Sequence, residues 1–399
     1  MSAAERSLGV SIADPVPACR ELSADLACLS GYQGGGSSSS TASGPGAMSD
    51  ERRSSLHSGV QRNLQMMVQA LQADQVDSSI WLQGILEADI PSLSVASLRW
   101  LEFEERKDVV KLFGLLLRTE GMEQPMGEYI RCREAFVRMI VEGCSTATTS
   151  THCGMILQSL ARHKAIAEVL LAHPDRVPIR LTEIARNESF DISSEAFSSL
   201  QKLLLTHRDV SSEFLSAHFS DFFDSFNTVL RLSEYVAQRQ GLKLLSEILL
   251  DRNFTKVMLL YIGNVNFLQI HMNLLRDESQ AIQFEAFHVF KIFVANPQKP
   301  PRVQQILFQN KERLLKLLEN LRPTRADDKR FLDDKKTVIS KLQALEAPPG
   351  LPRSASSGNA LSPSNSDVGT GSSPANNGAL NGAAAAHARL PQPSSGDGK

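Results

Sequence analysis

Apolar and polar positions along this chain recur with the period of a helix, and one stretch carries the pattern to its limit. In IQFEAFHVFKIFVANPQKP, residues 282–300, the polar letters Glu285, His288 and Lys291 fall at every third position. Phe284, Phe287, Phe290 and Phe293, with Ala286, Val289, Ile292 and Val294, occupy the rest. On a helix this leaves one narrow polar stripe and apolar surface on every other side, so the element has to be packed almost all round. Asn296-Pro297 ends it, because proline has no N–H for the helical ladder and biases its predecessor out of the α region. The rest of residues 51–345 reads as helices punctuated by Pro, Gly, Asn and Asp, without the sustained period-two alternation that predicts strands.

These helices repeat. EAFSSLQKLLL carries Ala196, RQGLKLLSEILL carries Gly241 and EAFHVFKIFV carries Ala286, each a small residue, spaced 45 and 45 apart. Four, seven and eight positions further on, all three segments are apolar: Leu200, Leu203, Leu204; Leu245, Ile248, Leu249; Phe290, Phe293, Val294. Gly154 in CGMILQSLARH lies 42 residues before Ala196, and Val109 in KDVVKLFGLLL lies 45 before that, with valine in the small slot. Helical repeats of ~40–47 residues are the mark of armadillo and HEAT arrays. The prediction is an all-α, armadillo/HEAT-like helical-repeat solenoid of roughly six to seven repeats, in which a small residue lets helix backbones approach closely. The rival reading is a single large globular helical domain.

Composition sets the limits of that body. The glycine- and serine-rich run GGGSSSSTASGPG, residues 34–46, and the Pro, Ser, Gly, Asn and Ala that follow Ala347 have too little apolar surface to offset ordering. Three parts are therefore expected: a low-complexity, disordered segment over 1–50, the repeat body over 51–345, and a disordered tail over 346–399 in which Ser354, Ser362 and Ser373 are candidate phosphorylation sites. A net charge of -2 gives no bias toward nucleic acid, and the apolar runs are too short to span a bilayer. The N-terminus lacks a signal-peptide pattern, and Glu5, Asp14, Glu21 and Asp25 are acids that transit peptides avoid, so a cytoplasmic protein is the expectation. Cys19, Cys28, Cys132, Cys144 and Cys153 are an odd set without a CxxC, consistent with reduced thiols in the core or on the surface.

No sequence pattern of a catalytic or cofactor site is present. There is no GxxxxGK[ST], HExxH, GxSxG or EF-hand loop. His152, His163 and His173 are eleven and ten residues apart, not the three or four that place two ligands on one helix face. The acids in RADDKRFLDDKK, residues 325–336, read as a solvated helix entry with local ion pairs. The expectation is a protein that is not an enzyme and needs no metal or other cofactor.

Several of the repeat segments resemble one family. FDISSEAFSSL, SEYVAQRQGLKLLSEILLDR, MNLLRDESQAIQFEAFHVFKIFVANPQKP, ILFQNKERLLKLL and RFLDDKKTVISKLQAL are similar to the scaffold proteins called mouse protein twenty-five, or calcium-binding protein thirty-nine. The resemblance covers about residues 51–345. It implies a curved, non-catalytic, monomeric armadillo-like scaffold. Its concave face would bind Ste20-like kinases or pseudokinases and stabilise their active conformation, supporting signalling in polarity, growth and division. Carried over by position, it implies concave-face contacts at Phe190, Tyr235, Arg239, Lys243, Arg252 and Phe254. Tyr235, Arg239 and Lys243 also share one helix face by their spacing of four. The resemblance implies a second site for a Trp-Glu-Phe tail of the partner, floored by Met272, where Gln309 replaces the family's lysine and Lys311 and Arg313 stand nearby. Residues 299–341 hold twelve Lys or Arg against six Asp or Glu, a bias that suits an acidic peptide. The alternative is an armadillo-type adaptor that tethers cytoskeletal or division-site proteins without activating a kinase.

Overall fold

A computed structural model describes residues 15–31, 49–72, 78–232, 234–322 and 328–347. The low-complexity run at 34–46 and the serines 354, 362 and 373 lie outside these residues. Among the described residues the regular structure consists of 20 α-helices and one short 3₁₀ turn, Arg252–Phe254.

The helices form an N-terminal pair and six triplets. The pair is α1 (Pro15–Ser30) and α2 (Asp50–Gln72). The triplets are α3 (Ser78–Glu87), α4 (Ile90–Ser97), α5 (Phe103–Leu116); α6 (Glu123–Cys132), α7 (Glu134–Cys144), α8 (Ser150–Leu160); and α9 (Lys164–Ala172), α10 (Val177–Ile184), α11 (Phe190–Thr206). They continue with α12 (Arg208–Ala217), α13 (Phe219–Leu230), α14 (Tyr235–Leu250); α15 (Thr255–Ile262), α16 (Val265–Leu274), α17 (Gln280–Ala295); and α18 (Pro301–Gln309), α19 (Lys311–Asn320), α20 (Lys329–Gln343). Third helices pack on third helices without a break: α2 on α5, then α8, α11, α14, α17 and α20. First helices α6, α9, α12 and α15 form a second row, and α1, α4, α7, α10 and α13 a third. This is the three-helix armadillo arrangement, with α1 and α2 as an incomplete first repeat.

The 45-residue period appears as bonds between equivalent positions. Lys164 Nζ donates to Asp209 at 2.5 Å, and His207 Nε2 lies 2.9 Å from the Arg162 carbonyl. Arg176 pairs with Asp221, and Arg208 with Asp251. Exposed pairs of this kind contribute little stability, so they record the register of neighbouring repeats more than they fix it. The core supplies the cohesion. Phe223, Tyr261 and Phe293, from three helices of two repeats, follow one another at ring-centroid separations of 5.1 and 6.1 Å.

The small-residue slot is occupied by side chains of the helices packed on it, not by an approaching backbone. A Cβ on Gly154 of α8 would lie 2.2 Å from Glu195 Oε1 of α11, and one on Gly241 of α14 would lie 3.0 Å from Leu230 Cδ2. Ala196 and Ala286 are buried in the same slot of their own repeats.

One expectation changes. Disorder is expected throughout residues 1–50, yet Pro15–Ser30 is a helix that buries Ala18, Cys19, Leu22, Leu26 and Leu29 against α2, α3 and α4. Its apolar positions at 18, 19, 22, 26 and 29 keep helical spacing, a signal hidden by the low-complexity run behind it. The polar stripe of α17 reaches partners other than water. Lys291 Nζ donates to Asp334 of α20 at 2.6 Å and lies 3.3 Å from His288 Nδ1, while Glu285 faces Arg239 and Lys243 of α14.

Candidate functional site: an exposed third-helix stripe and a basic cavity

The start of α14 is built by local bonds. Glu234 caps the helix by accepting from the Val236 and Ala237 amides at 3.2 and 2.6 Å. Gln238 ties the same turn to the end of α13, donating to the Leu230 and Leu232 carbonyls at 3.0 and 3.2 Å. The inner face of α14 buries Ala237, Gly241, Leu242, Leu245, Ile248 and Leu249. What remains outside is Tyr235, Arg239, Lys243 and Leu250 on one line along the helix, all exposed. Arg239 Nη1 donates to the Tyr235 hydroxyl at 3.4 Å, which holds the guanidinium along the stripe.

Neighbouring third helices extend this surface. Phe190 opens α11 as Tyr235 opens α14, 45 residues on, and is 60% exposed against 42% for Tyr235. Between the exposed ends runs a seam of half-buried and exposed polar groups. Gln158 of α8 donates to Glu195 of α11 at 2.7 Å, Gln240 of α14 to Ser194 of α11 at 3.5 Å, and Gln201 of α11 to Glu247 of α14 at 3.3 Å. Burial raises the carboxyl pKa of Glu285 on α17, an effect opposed by Arg239 and Lys243 and reinforced by Glu247. Arg252, just beyond α14, is exposed as well. Phe254 is not available: it is 0% exposed, turned inward by the 3₁₀ turn that Asp251 caps through the Asn253 amide. The residue-by-residue carry-over places an aromatic there; the fold uses it as core.

The second location lies at the far end of the stack. Arg276, in the turn after α16, and Arg313, Lys316, Leu317 and Asn320 of α19 line an open cavity of about 520 Å³. Positions 313, 316, 317 and 320 are one face of a helix. Met272 of α16 precedes Arg276 by four residues but is only 7% exposed and is not among the residues lining this cavity. Gln309, the last residue of α18, is exposed. Lys311 is engaged elsewhere: its ammonium donates to the Gln343 and Leu345 carbonyls at 2.6 and 3.3 Å, closing the end of α20. The charges that border the cavity are thus Arg276, Arg313 and Lys316. The 313, 316, 317, 320 spacing was the available signal for this wall, and it was masked by the apolar heptad-like letters of RLLKLL.

Elsewhere the titratable groups read as structure. Burial pushes the Cys19 and Cys153 thiols up to about 12, far from reactive thiolates. Asp328 caps α20 by accepting from the Phe331 amide at 2.9 Å. His271 is fully buried, with Nε2 2.9 Å from the Tyr261 hydroxyl, and burial lowers its pKa to about 3.

A family model described as Mo25-like matches residues 39–346, most of the chain and all but the first helix of the stack. The chain belongs to the Mo25-like family. Among curated relatives, it is 38% identical over 262 residues to the Mo25-like protein of Schizosaccharomyces pombe, covering 65% of this chain and 79% of that one. It is 35% identical over 254 residues to human calcium-binding protein 39-like, covering 63% and 74%. The conidiophore development protein hymA of Emericella nidulans is 33% identical over 340 residues, covering 77% and 87%. Among solved structures, a designed armadillo repeat protein matches with a TM-score of 0.41 at 11% identity, covering 62% of this chain and 98% of that one. Membership in the Mo25-like family supports a scaffold role in general. Among the described residues, no group of His, Cys, Asp and Glu could hold a metal ion, and no helix is long and apolar enough to cross a membrane.

Proposed function

We propose that this chain is a non-catalytic scaffold that binds Ste20-like protein kinases or pseudokinases and stabilises their active conformation. The observation that carries the reading is the α14 stripe. Tyr235, Arg239 and Lys243 stand exposed on a rigid, capped helix, with Phe190 one repeat away. Tyrosine and arginine are typical anchors of protein interfaces, and a stripe on packed helices is presented without an ordering cost. The basic cavity of Arg276, Arg313 and Lys316 supplies a second hold, suited to an acidic tail of the same partner.

Activation by such a scaffold is a population shift. Only the difference in affinity between the closed and open kinase moves the equilibrium, and turning a state populated at about 1% into about 99% needs roughly a 10⁴-fold preference. Two separated holds on one partner raise that differential to the extent that only the active conformation engages both at once.

The test is a pull-down from native lysate with the full chain, followed by a kinase assay on the eluate. Recovery of a Ste20-like kinase, more active when bound and lost with Tyr235→Ala/Arg239→Ala, supports the reading. A bound set without a kinase, or one unaffected by the substitutions, removes it.

A further inference from the structure

We propose that the edge of α15 that carries Lys256, Leu259 and Leu260 docks an acidic amphipathic helix of a partner protein, laid where the row of first helices breaks off. None of these three residues belongs to the α14 stripe or to the basic cavity. In the preceding repeat the matching edge is covered. Arg208 and Ser212, the first and fifth residues of α12, reach the start of the next repeat: Arg208 pairs with Asp251, and Ser212 Oγ donates to the Asn253 carbonyl at 2.8 Å. One repeat earlier, Lys164, the first residue of α9, donates to Asp209 of α12. The first and fifth residues of α15 are Thr255 and Leu259. The next first helix, α18, packs on α16 and α19 instead of continuing the row, and its N-cap Pro300 sits at the far end of α15, 3.9 Å from a Cβ placed on Gly263. Leu259 is left 55% exposed and Leu260 43%, with Thr255 and Lys256 exposed beside them.

The break in the row selects the chemistry of what covers it. Positions 256, 259 and 260 share one helix face, so an incoming helix meets two leucines and an ammonium together. Adjacent exposed leucines on a packed helix suit the apolar face of a second helix. The sign of the charge follows from the absent rung. In the intact row Asp209 and Asp251 answer the bases Lys164 and Arg208, whereas residues 286–311, which run through α18, contain no Asp or Glu. Lys256 forms no ion pair among the described residues, and Arg252 stands exposed four residues before it. Lys299 and Arg302, on either side of Pro300-Pro301, add positive charge at the start of α18. An acidic covering helix supplies what the first helices supply to one another, and a basic one would be repelled.

The experiment selects helical peptides of about 16 residues from a displayed library on the full chain, then measures the enriched peptides by fluorescence anisotropy. They are expected to combine Asp or Glu with one apolar face. Leu259→Gln/Leu260→Gln should weaken their binding by at least about tenfold. Lys256→Glu should weaken it as well, and exchanging the peptide's acid for lysine should restore binding to that variant alone. The substituted residues are exposed, so an unchanged melting curve confirms the fold of each variant. Enrichment that is absent, or indifferent to Leu259 and Leu260, overturns the proposal. Enriched peptides that are neutral or basic, or that ignore Lys256→Glu, overturn the choice of an acidic helix. A dimer that the leucine substitutions convert to monomer, read by sedimentation, assigns the edge to a second copy of the chain and also overturns it.

Discussion

Gly241 occupies a position where even one methyl group meets resistance. Its Cβ would stand 3.0 Å from Leu230 Cδ2 and 3.8 Å from the Phe197 ring, both buried side chains with little room to yield. Alanine normally improves a helix over glycine by about 1 kcal/mol, but overpacking a core typically costs about 1–3 kcal/mol. Gly241→Ala should therefore be destabilising, or at best neutral, and Gly241→Val clearly destabilising, measured as a lower urea midpoint at unchanged slope. This slot was legible in the sequence because a small residue recurring at a fixed place in successive repeats marks a close approach of helices. The roles of Phe254 and Lys311 were not legible. Both hinge on a 3₁₀ turn and a helix end that move a side chain inward or onto carbonyls, and neither leaves a trace in periodicity. At the stripe, Arg239→Ala should weaken partner binding by about tenfold or more with no change in melting temperature, since an exposed arginine adds little to stability.

At the scale of elements, hydrophobic pattern located the third helices well and the short helices poorly. α17 was recognisable because sixteen residues carried an almost unbroken apolar surface, and its four phenylalanines lie in or against the core. Phe290→Ala should cost about 3–5 kcal/mol, read from chemical denaturation. The eight-residue helices α4 and α10 gave too short a window for a period. Both follow a residue of positive φ, Asp89 and Arg176, with proline in the first turn, a punctuation more informative there than amphipathicity. α14 links element to site. Removing its cap with Glu234→Ala should lose about 1 kcal/mol of stability and loosen the turn that bears Tyr235. Partner affinity should fall with it, although Glu234 belongs to the cap and not to the stripe; titration of the same partner against both variants checks this.

For the whole molecule, buried imidazoles set an acid limit. Burial lowers the pKa of His271 to about 3, and burial with Lys291 close by lowers that of His288 to about 4. In the unfolded chain both titrate near the ordinary 6.5, so between 6.5 and those folded values the unfolded state binds more protons. Stability from this source is complete above pH 6.5 and is lost as pH falls toward about 4 and about 3. The half-buried Glu195 and Glu285, with raised pKa values, act in the opposite sense, favouring the fold when protonated. His271→Met should therefore make the slope of stability against pH shallower below 6.5 than in wild type, measured by urea unfolding across that range.

The described residues of 15–347 form a row of packed repeats, and the proposed scaffold function turns on whether the α14 stripe and the basic cavity bias a bound kinase toward its active state. The most direct measurement is the activity of a purified Ste20-like kinase carrying a Trp-Glu-Phe tail, titrated with the full chain. The account predicts a saturable rise in activity at constant kinase concentration, with its midpoint shifted to higher scaffold by Arg239→Ala. Saturable binding with no change in activity, or activation that the substitution leaves untouched, would contradict it.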